Sequence, residues 1–216
     1  MSDCCTPKGY RRIFSKRSAQ RQAKRYRRKG LDPTSRRLFE LLAQRGLEGR
    51  TLLEVGGGIG DLQMELLRAG LSRAVCIEVT PTYEEVAAAL LREAGLADRV
   101  ERRVIDFTQA AGEVEATDIV VLNRVVCCYP HMPALVGAAA DHARQVLVLS
   151  FPRRSWWTRA VVGFGNLVLS AAQFHVFLHP PLSILATGEE HGLTTTHNSP
   201  GFFWQVAALE RRDRGL

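Results

Sequence analysis

A glycine-rich turn is the strongest chemical signal in the chain. Residues 52–61 read LLEVGGGIGD, in which an apolar stretch is followed by four glycines. Glycine adopts left-handed backbone conformations and lets a ligand approach main-chain N–H groups without a Cβ in the way. The helix that follows would offer unpaired N–H donors and the positive end of its dipole. The spacing predicts a ligand-binding strand–turn–helix formed by Glu54, Gly56, Gly58 and Gly60.

The spacing of these glycines separates the turn from two other nucleotide-binding loops. A dinucleotide fingerprint needs a small residue at position 61, where this chain has aspartate, and the lysine of a phosphate-binding P-loop is absent. Glu78 follows Gly58 by twenty residues and ends a second apolar stretch. A carboxylate at this position can accept hydrogen bonds from both ribose hydroxyls of a nucleoside. The alternatives are a tight turn without a ligand and a glutamate on the surface.

Further candidate residues follow the third and fourth predicted strands. Asp106 and Phe107 close the third strand, and Asn123 lies near the end of the fourth. Residues 127–131 come next and carry thiol, phenol and imidazole groups. We expect all of them at the same edge of a sheet, because parallel strands end together there.

The order of these signals resembles class I S-adenosylmethionine (SAM) methyltransferases. The pattern Glu-Val-Gly-x-Gly-x-Gly is similar to the first motif of that family, and Ile-Glu-Val-Thr-Pro around Glu78 is similar to its acidic loop. The resemblance implies that SAM is the cofactor and that the glycine turn holds its amino-acid part, with Glu54 at the strand end. It also implies that Asp106 bonds the adenine amine and Phe107 flanks the ring. Asn123 completes the candidate cofactor-binding set.

Residues 38–210 show a narrower resemblance, to the magnesium-protoporphyrin IX methyltransferase family and its uncharacterised relatives. It is carried by short patches at 126–130 (VCCYP), 146–152 (VLVLSFP) and 202–209. That family has His-Tyr-Pro after its fourth strand, but Cys128 stands at the position of the histidine here. The likeness therefore indicates fold and cofactor more than it indicates the substrate.

Methyl transfer needs little besides alignment, because the methyl group of SAM is already activated on a sulfonium. A general base is required only when the acceptor must lose a proton. His131, Tyr129 and Cys128 are the candidate catalytic residues, although a histidine at a rim is often simply solvated.

Two pairs of adjacent cysteines, Cys4–Cys5 and Cys127–Cys128, raise the hypothesis of a site for a soft metal ion. Neither pair has the spacing of common zinc sites, so the main prediction includes no metal.

The alternation of apolar strands and helices predicts an α/β fold. We expect strands at 51–55, 74–79, 100–107, 118–126, 146–151, 193–197 and 203–209, and helices at 16–29, 33–46, 61–69 and 81–94. The last two strands are separated by only a short turn, so they form a hairpin. The prediction is a doubly wound, seven-stranded, mostly parallel sheet with an antiparallel last strand. Residues 1–46 would form a basic helical cap and residues 47–216 the SAM-binding domain.

Charge is distributed unevenly along the chain. Residues 1–37 hold thirteen Lys and Arg against two Asp, a balance of +11, and the remainder of the chain carries −4 of the total of +7. A basic segment can attract an anionic substrate, an anionic membrane or RNA. The main hypothesis is a small, hydrophobic or planar acceptor. An RNA methyltransferase is the first alternative, although the fourth strand lacks the Asn/Asp-Pro-Pro-Tyr motif.

Residues 160–188 contain no charged side chain, and Arg153, Arg154 and two tryptophans precede them. A segment at 153–178 with this composition suits either a lid over the acceptor or a helix at a membrane surface, and it is too interrupted to predict a membrane span. A non-catalytic or membrane-peripheral scaffold is therefore the second alternative. The N-terminus lacks an apolar signal and the five cysteines form no disulfide pattern, so we expect a cytoplasmic location, with a membrane-peripheral one as the alternative.

Overall fold

The computed structural model describes residues 7–211, in which seven strands form one sheet. The strands are β1 (Thr51–Val55), β2 (Arg73–Glu78), β3 (Val100–Val104), β4 (Thr117–Asn123), β5 (Ala143–Pro152), β6 (Leu193–Ser199) and β7 (Trp204–Arg211). Within these residues the helices are α1 (Pro7–Ile13), α2 (Lys16–Lys29), α3 (Pro33–Ala43), α4 (Asp61–Arg68), α5 (Glu84–Glu93), α6 (Met132–His142), α7 (Trp156–Ser170) and α8 (Pro181–Glu190).

The strands are arranged in the order β3-β2-β1-β4-β5-β7-β6. The first five are parallel, and β7 runs antiparallel between β5 and β6, with Val148 of β5 opposite Ala208. This arrangement confirms the predicted seven-stranded, mostly parallel sheet with an antiparallel last strand. It also brings the ends of β1, β2 and β4 to one edge, where the glycine turn begins.

Hydrophobic cores cover both faces of the sheet. One core packs residues of α2 to α5 against strand side chains such as Leu52 and Ile119. The other packs α6 and α8 against Leu53 and Val120. The central strands are almost entirely apolar because neither face meets water.

The basic N-terminal helices are part of this packing. Helix α2 buries Ala19, Ala23 and Tyr26, and its lysine and arginine side chains lie on the outer side. Two of them form exposed ion pairs with α5, Lys16 with Glu85 and Arg27 with Glu93. Helix α3 begins where Asp32 accepts the N–H groups of Thr34 and Ser35. Its leucines are buried in the same core as β1.

The structure departs from the sequence-based elements at several positions. Strand β3 ends at Val104 rather than at 107, and β4 ends at Asn123 rather than at 126, because the next residue, Arg124, has a positive φ of 61°. Helices α6 and α8 were not predicted, since both are short, rich in small or apolar residues and buried over much of their surface. Helix α7 is shorter than the expected segment at 153–178, since it begins at Trp156 and ends at Ser170. None of the helices in residues 7–211 is long and apolar enough to cross a membrane.

Candidate cofactor and acceptor site

The glycine turn lies between β1 and α4 and borders a cavity of about 980 Å³. All three predicted glycines have a positive φ, 70° at Gly56, 58° at Gly58 and 80° at Gly60. Gly56 and Gly58 line the cavity, whereas Gly60 caps the start of α4 and is not among the lining residues. The volume is near the upper end of the range found for small-molecule pockets.

Glu54 lies beneath this turn with 1% of its surface exposed. Its Oε2 atom has no hydrogen-bond partner among the residues that the structure describes. A Cβ at Gly57 would come within 2.7 Å of that oxygen, so the turn leaves room for a small donor there only because position 57 is glycine. Burial, followed by the nearby Asp61, raises the pKa of Glu54 well above its usual value. A buried, unpartnered acid of this kind is costly unless a ligand supplies a donor.

Glu78 ends β2 and faces the same turn. Its Oε1 accepts the N–H of Gly58, and its side chain lines the cavity. Burial raises the pKa of Glu78 to about 7, although the Gly58 bond and Arg102 both lower it. At neutral pH the Glu78 carboxyl group that lines the cavity is therefore about half ionised.

Arg102 holds the other side of Gly58. This β3 side chain donates to the carbonyl oxygen of Gly58 at 2.9 Å, to Cys76 Sγ at 3.2 Å and to Glu84 at 2.8 Å. Only 8% of the side chain is exposed. Gly58 is thus fixed through both its N–H and its carbonyl group, which sets the shape of the turn before any ligand arrives. Sequence reasoning did not identify Arg102, because its contact with Gly58 spans 44 positions.

Asp106, Phe107 and Asn123 also line the cavity. Asp106 accepts the N–H and hydroxyl groups of Thr108 at 3.0 and 2.8 Å, so its carboxylate stabilises its own loop. Phe107 is buried and makes an edge contact with His142. The amide of Asn123 donates to Ser35 and accepts from Ser150.

The three candidate catalytic residues are separated by the structure. Cys128 and Tyr129 line the cavity, and the Tyr129 hydroxyl hydrogen-bonds to that of Thr108. Burial raises the pKa of Tyr129 despite that bond. His131 is exposed, precedes α6 and is not among the residues that line the cavity. The geometry thus brings Tyr129 and Cys128 to the cavity and leaves His131 outside its lining.

An ion pair between Asp32 and Arg124 closes another part of the cavity wall. Arg124 also lies 5.8 Å from the centre of the Trp204 ring. Burial alone would raise the pKa of Asp32, but Arg124 and the bonds from Ser35 lower it below its usual value. Asp32 is also the N-cap of α3, and its partner Arg124 directly follows β4.

Aromatic side chains complete the wall beyond the ion pair. They belong to α1, to the segment after it, to the turn before β7 and to the first residue of β7: Tyr10, Phe14, Phe202, Phe203 and Trp204. The Tyr10 hydroxyl donates to the carbonyl oxygen of Cys128 at 2.7 Å, which ties the N-terminal segment to the end of β4. The cavity thus has a polar end at the glycine turn and an apolar, aromatic end.

Cys127 and Cys128 place their sulfur atoms 3.7 Å apart. Cys4 and Cys5, the other half of the metal-site hypothesis, lie outside the described residues. Across residues 7–211 there is no group of three or more His, Cys, Asp or Glu side chains that could hold a metal ion.

Several solved structures that share this architecture are methyltransferases. Magnesium protoporphyrin IX methyltransferase from Synechocystis PCC 6803, solved with bound SAH, is 17% identical, with a TM-score of 0.68 over 94% of this chain and 93% of its own. An O-methyltransferase family protein from Burkholderia thailandensis is 19% identical, with a TM-score of 0.69 over 84% of this chain and 57% of its own. The chain has the class I methyltransferase fold.

A curated protein also resembles part of the chain in sequence. Ribosomal protein L11 methyltransferase from Thermotoga maritima is 36% identical over 123 residues, which are 56% of this chain and 44% of that protein. The chain thus matches less than half of the length of this curated relative. No protein-family model matches the chain.

Proposed function

We propose that the chain transfers a methyl group from SAM to a small acceptor with an apolar or planar body. The observation that carries this proposal is Glu54, a buried acid whose free oxygen lies under the glycine turn. An α-ammonium group is a donor of suitable size and charge for such an oxygen. Glu78 faces the same turn and has the acceptor oxygens that ribose hydroxyls need.

The positions of the other candidate residues along the cavity suggest their roles. Asp106 and Phe107 would border an adenine, and Asn123 would keep the end of β4 in place through its two side-chain hydrogen bonds. When bound, SAM supplies an activated methyl group on a positively charged sulfur. Alignment of the acceptor against that methyl group by the cavity walls would provide most of the rate enhancement.

The acceptor end suits an apolar body because its walls are largely aromatic. Tyr129 and Cys128 are the two candidate catalytic residues that border it, and in its ionised form either could take a proton from an acidic acceptor. An acceptor that is already ionised, such as a carboxylate, needs no base. The exposed position of His131 gives it no part in this proposal.

Binding of S-adenosylhomocysteine (SAH) tests the cofactor assignment directly. We expect micromolar affinity in calorimetric titration of the full chain at pH 8, and at least a tenfold loss for Glu78→Ala. Glu113→Ala is a matched control, since Glu113 is exposed and does not line the cavity. A folded wild-type protein that does not bind SAH would contradict the proposal and favour a non-catalytic scaffold.

An RNA acceptor is the second candidate, because the outer side of α2 is strongly basic. Its exposed cations include Arg17, Arg21, Lys24, Arg25 and Arg28, and Arg25 also lines the cavity. If RNA is the acceptor, binding should weaken steeply with salt, by about tenfold or more between 50 and 200 mM for several phosphate contacts. Charge-neutral variants of Arg17 and Arg21 should then reduce RNA binding and leave SAH binding unchanged.

A further inference from the structure

Helix α7 exposes an apolar face that no described part of the chain covers. Only Thr158 and Val162 are buried among its fifteen residues. Trp156, Phe164 and Leu167 are 82%, 72% and 73% exposed, and Val161 and Val168 lie beside them. We call these five exposed residues the α7 face. An apolar patch of this size on one helix marks an interaction surface.

The charges around the α7 face are all of one sign. Arg153, Arg154 and Arg159 are exposed at the start of the helix. At the other end, Arg12 donates to the carbonyl oxygen of Ala171 at 3.3 Å, with Arg11 next to it. The sequence from 142 to 188 contains no Asp or Glu. The surface is therefore an apolar stripe with cations at both ends.

Aromatic contacts join both ends of α7 to the wall of the cavity. Trp157 stacks on Phe202 with ring centres 4.8 Å apart, and Phe202 lines the cavity. Beyond the other end of the helix, Phe174 makes edge contacts at 5.7 Å with Tyr10 and Phe14, which also line it. Both ends of α7 are thus in aromatic contact with side chains that line the acceptor end of the cavity.

We propose that the α7 face docks on the surface of an anionic lipid bilayer, with α7 lying flat in the interface. Fifteen helical residues extend about 22 Å, which suits an interfacial helix rather than a crossing one. Tryptophan and arginine are side chains that favour the headgroup level, and arginine is attracted to anionic lipids. The acceptor end of the cavity would then open next to the membrane, from which an apolar acceptor could reach it.

The charge pattern favours a bilayer over a second copy of the chain. Two copies paired along α7, in either direction, would bring arginine-bearing ends together, and residues 142–188 supply no carboxylate to offset these charges. Anionic lipid headgroups supply the missing counter-charge. The docking surface stands on exposure and charge, so it does not depend on the proposed methyl transfer.

Flotation of the full chain with lipid vesicles tests the proposal. We expect binding to phosphatidylcholine vesicles that contain 30% phosphatidylglycerol, and weaker binding to phosphatidylcholine alone. The double variant Phe164→Asp/Leu167→Asp should lose binding by at least tenfold. Arg153→Gln and Arg154→Gln should each lower the partition coefficient about fivefold, the equivalent of about 1 kcal/mol per cation at an anionic surface.

Two variants outside the α7 face serve as controls. Val104→Asp introduces the same charge on the edge strand β3, and Arg92→Gln removes an exposed arginine on α5; both should bind vesicles like the wild type. SAH titration of every variant reports the cofactor site separately, and it should be unchanged. The proposal is refuted if the wild type does not bind anionic vesicles, or if Phe164→Asp/Leu167→Asp instead abolishes dimerisation in light scattering and leaves vesicle binding intact.

Discussion

Replacing Glu78 by glutamine removes one buried titratable group and keeps the shape of the side chain. Burial raises the pKa of Glu78 from 4.5 to about 7. Because the carboxyl holds its proton more tightly in the folded protein than in the unfolded chain, the free energy of unfolding falls as the pH rises from 4.5 to 7. The contribution of Glu78 therefore makes the cofactor-free protein less stable above pH 7 than near pH 4.5.

The size of the effect follows from the shift in pKa. About 2.5 pKa units at 1.36 kcal/mol each give about 3 kcal/mol of lost stability once Glu78 is fully ionised. Glu78→Gln should recover most of that amount at pH 8, which corresponds to a rise in Tm of about 6–12 °C for a chain of this length. At pH 4.5 the two proteins should unfold at nearly the same temperature, because both side chains are then neutral.

Thermal unfolding of the cofactor-free proteins at pH 4.5, 6, 7 and 8 measures this difference. SAH titration of the same samples should give the opposite ranking, with weaker binding by Glu78→Gln at pH 8. In the wild type, SAH affinity should fall up to tenfold per pH unit below 7, as the ionised fraction of Glu78 falls. A Glu78→Gln variant that is no more stable than the wild type at pH 8 would falsify the assignment of a raised pKa to this carboxyl.

Two other substitutions probe the support of the turn. Gly57→Ala should weaken SAH binding at least tenfold with little change in fold, because its Cβ would lie 2.7 Å from Glu54 Oε2, and SAH titration beside circular dichroism measures both. Arg102→Met should cost about 3–5 kcal/mol of stability in urea unfolding, because it leaves Glu84 and the Gly58 carbonyl group without their buried cation. An Arg102→Met protein as stable as the wild type would show that the turn holds its shape without that guanidinium.

The glycine-turn end of the cavity could be predicted from sequence because its parts are local. The turn is one run of consecutive residues, and Glu78 ends the next strand, so strand order alone brings it near Gly58. The aromatic end of the cavity joins residues that are far apart in the chain. Asp32 and Arg124 are separated by 92 positions, and their pairing depends on how α3 packs across the end of β4.

The helices that could be predicted from sequence are likewise those with a local pattern, and the buried helices could not be predicted. Helix α2 has a polar outer side and a clear cap, so its pattern is visible in sequence. Helix α6 (MPALVGAAADH) is buried over much of its surface, so it has no polar stripe to give it a period. Helix α7 was expected to be either a lid or a membrane-surface helix, and its exposed face is what supports the second role.

The charge of the cavity differs in sign from that of the N-terminal segment. Its described lining includes five carboxyl side chains but only three arginines, and one of these, Arg124, is already paired with Asp32. Burial raises the pKa values of Glu54, Asp61 and Glu78, so these acids gain most from a ligand that brings positive charge. SAM carries a sulfonium and an ammonium group, whereas SAH has lost the sulfonium charge. Acids that are costly to bury in the empty site would therefore favour the substrate form of the cofactor, so that SAH would leave the site more readily than SAM.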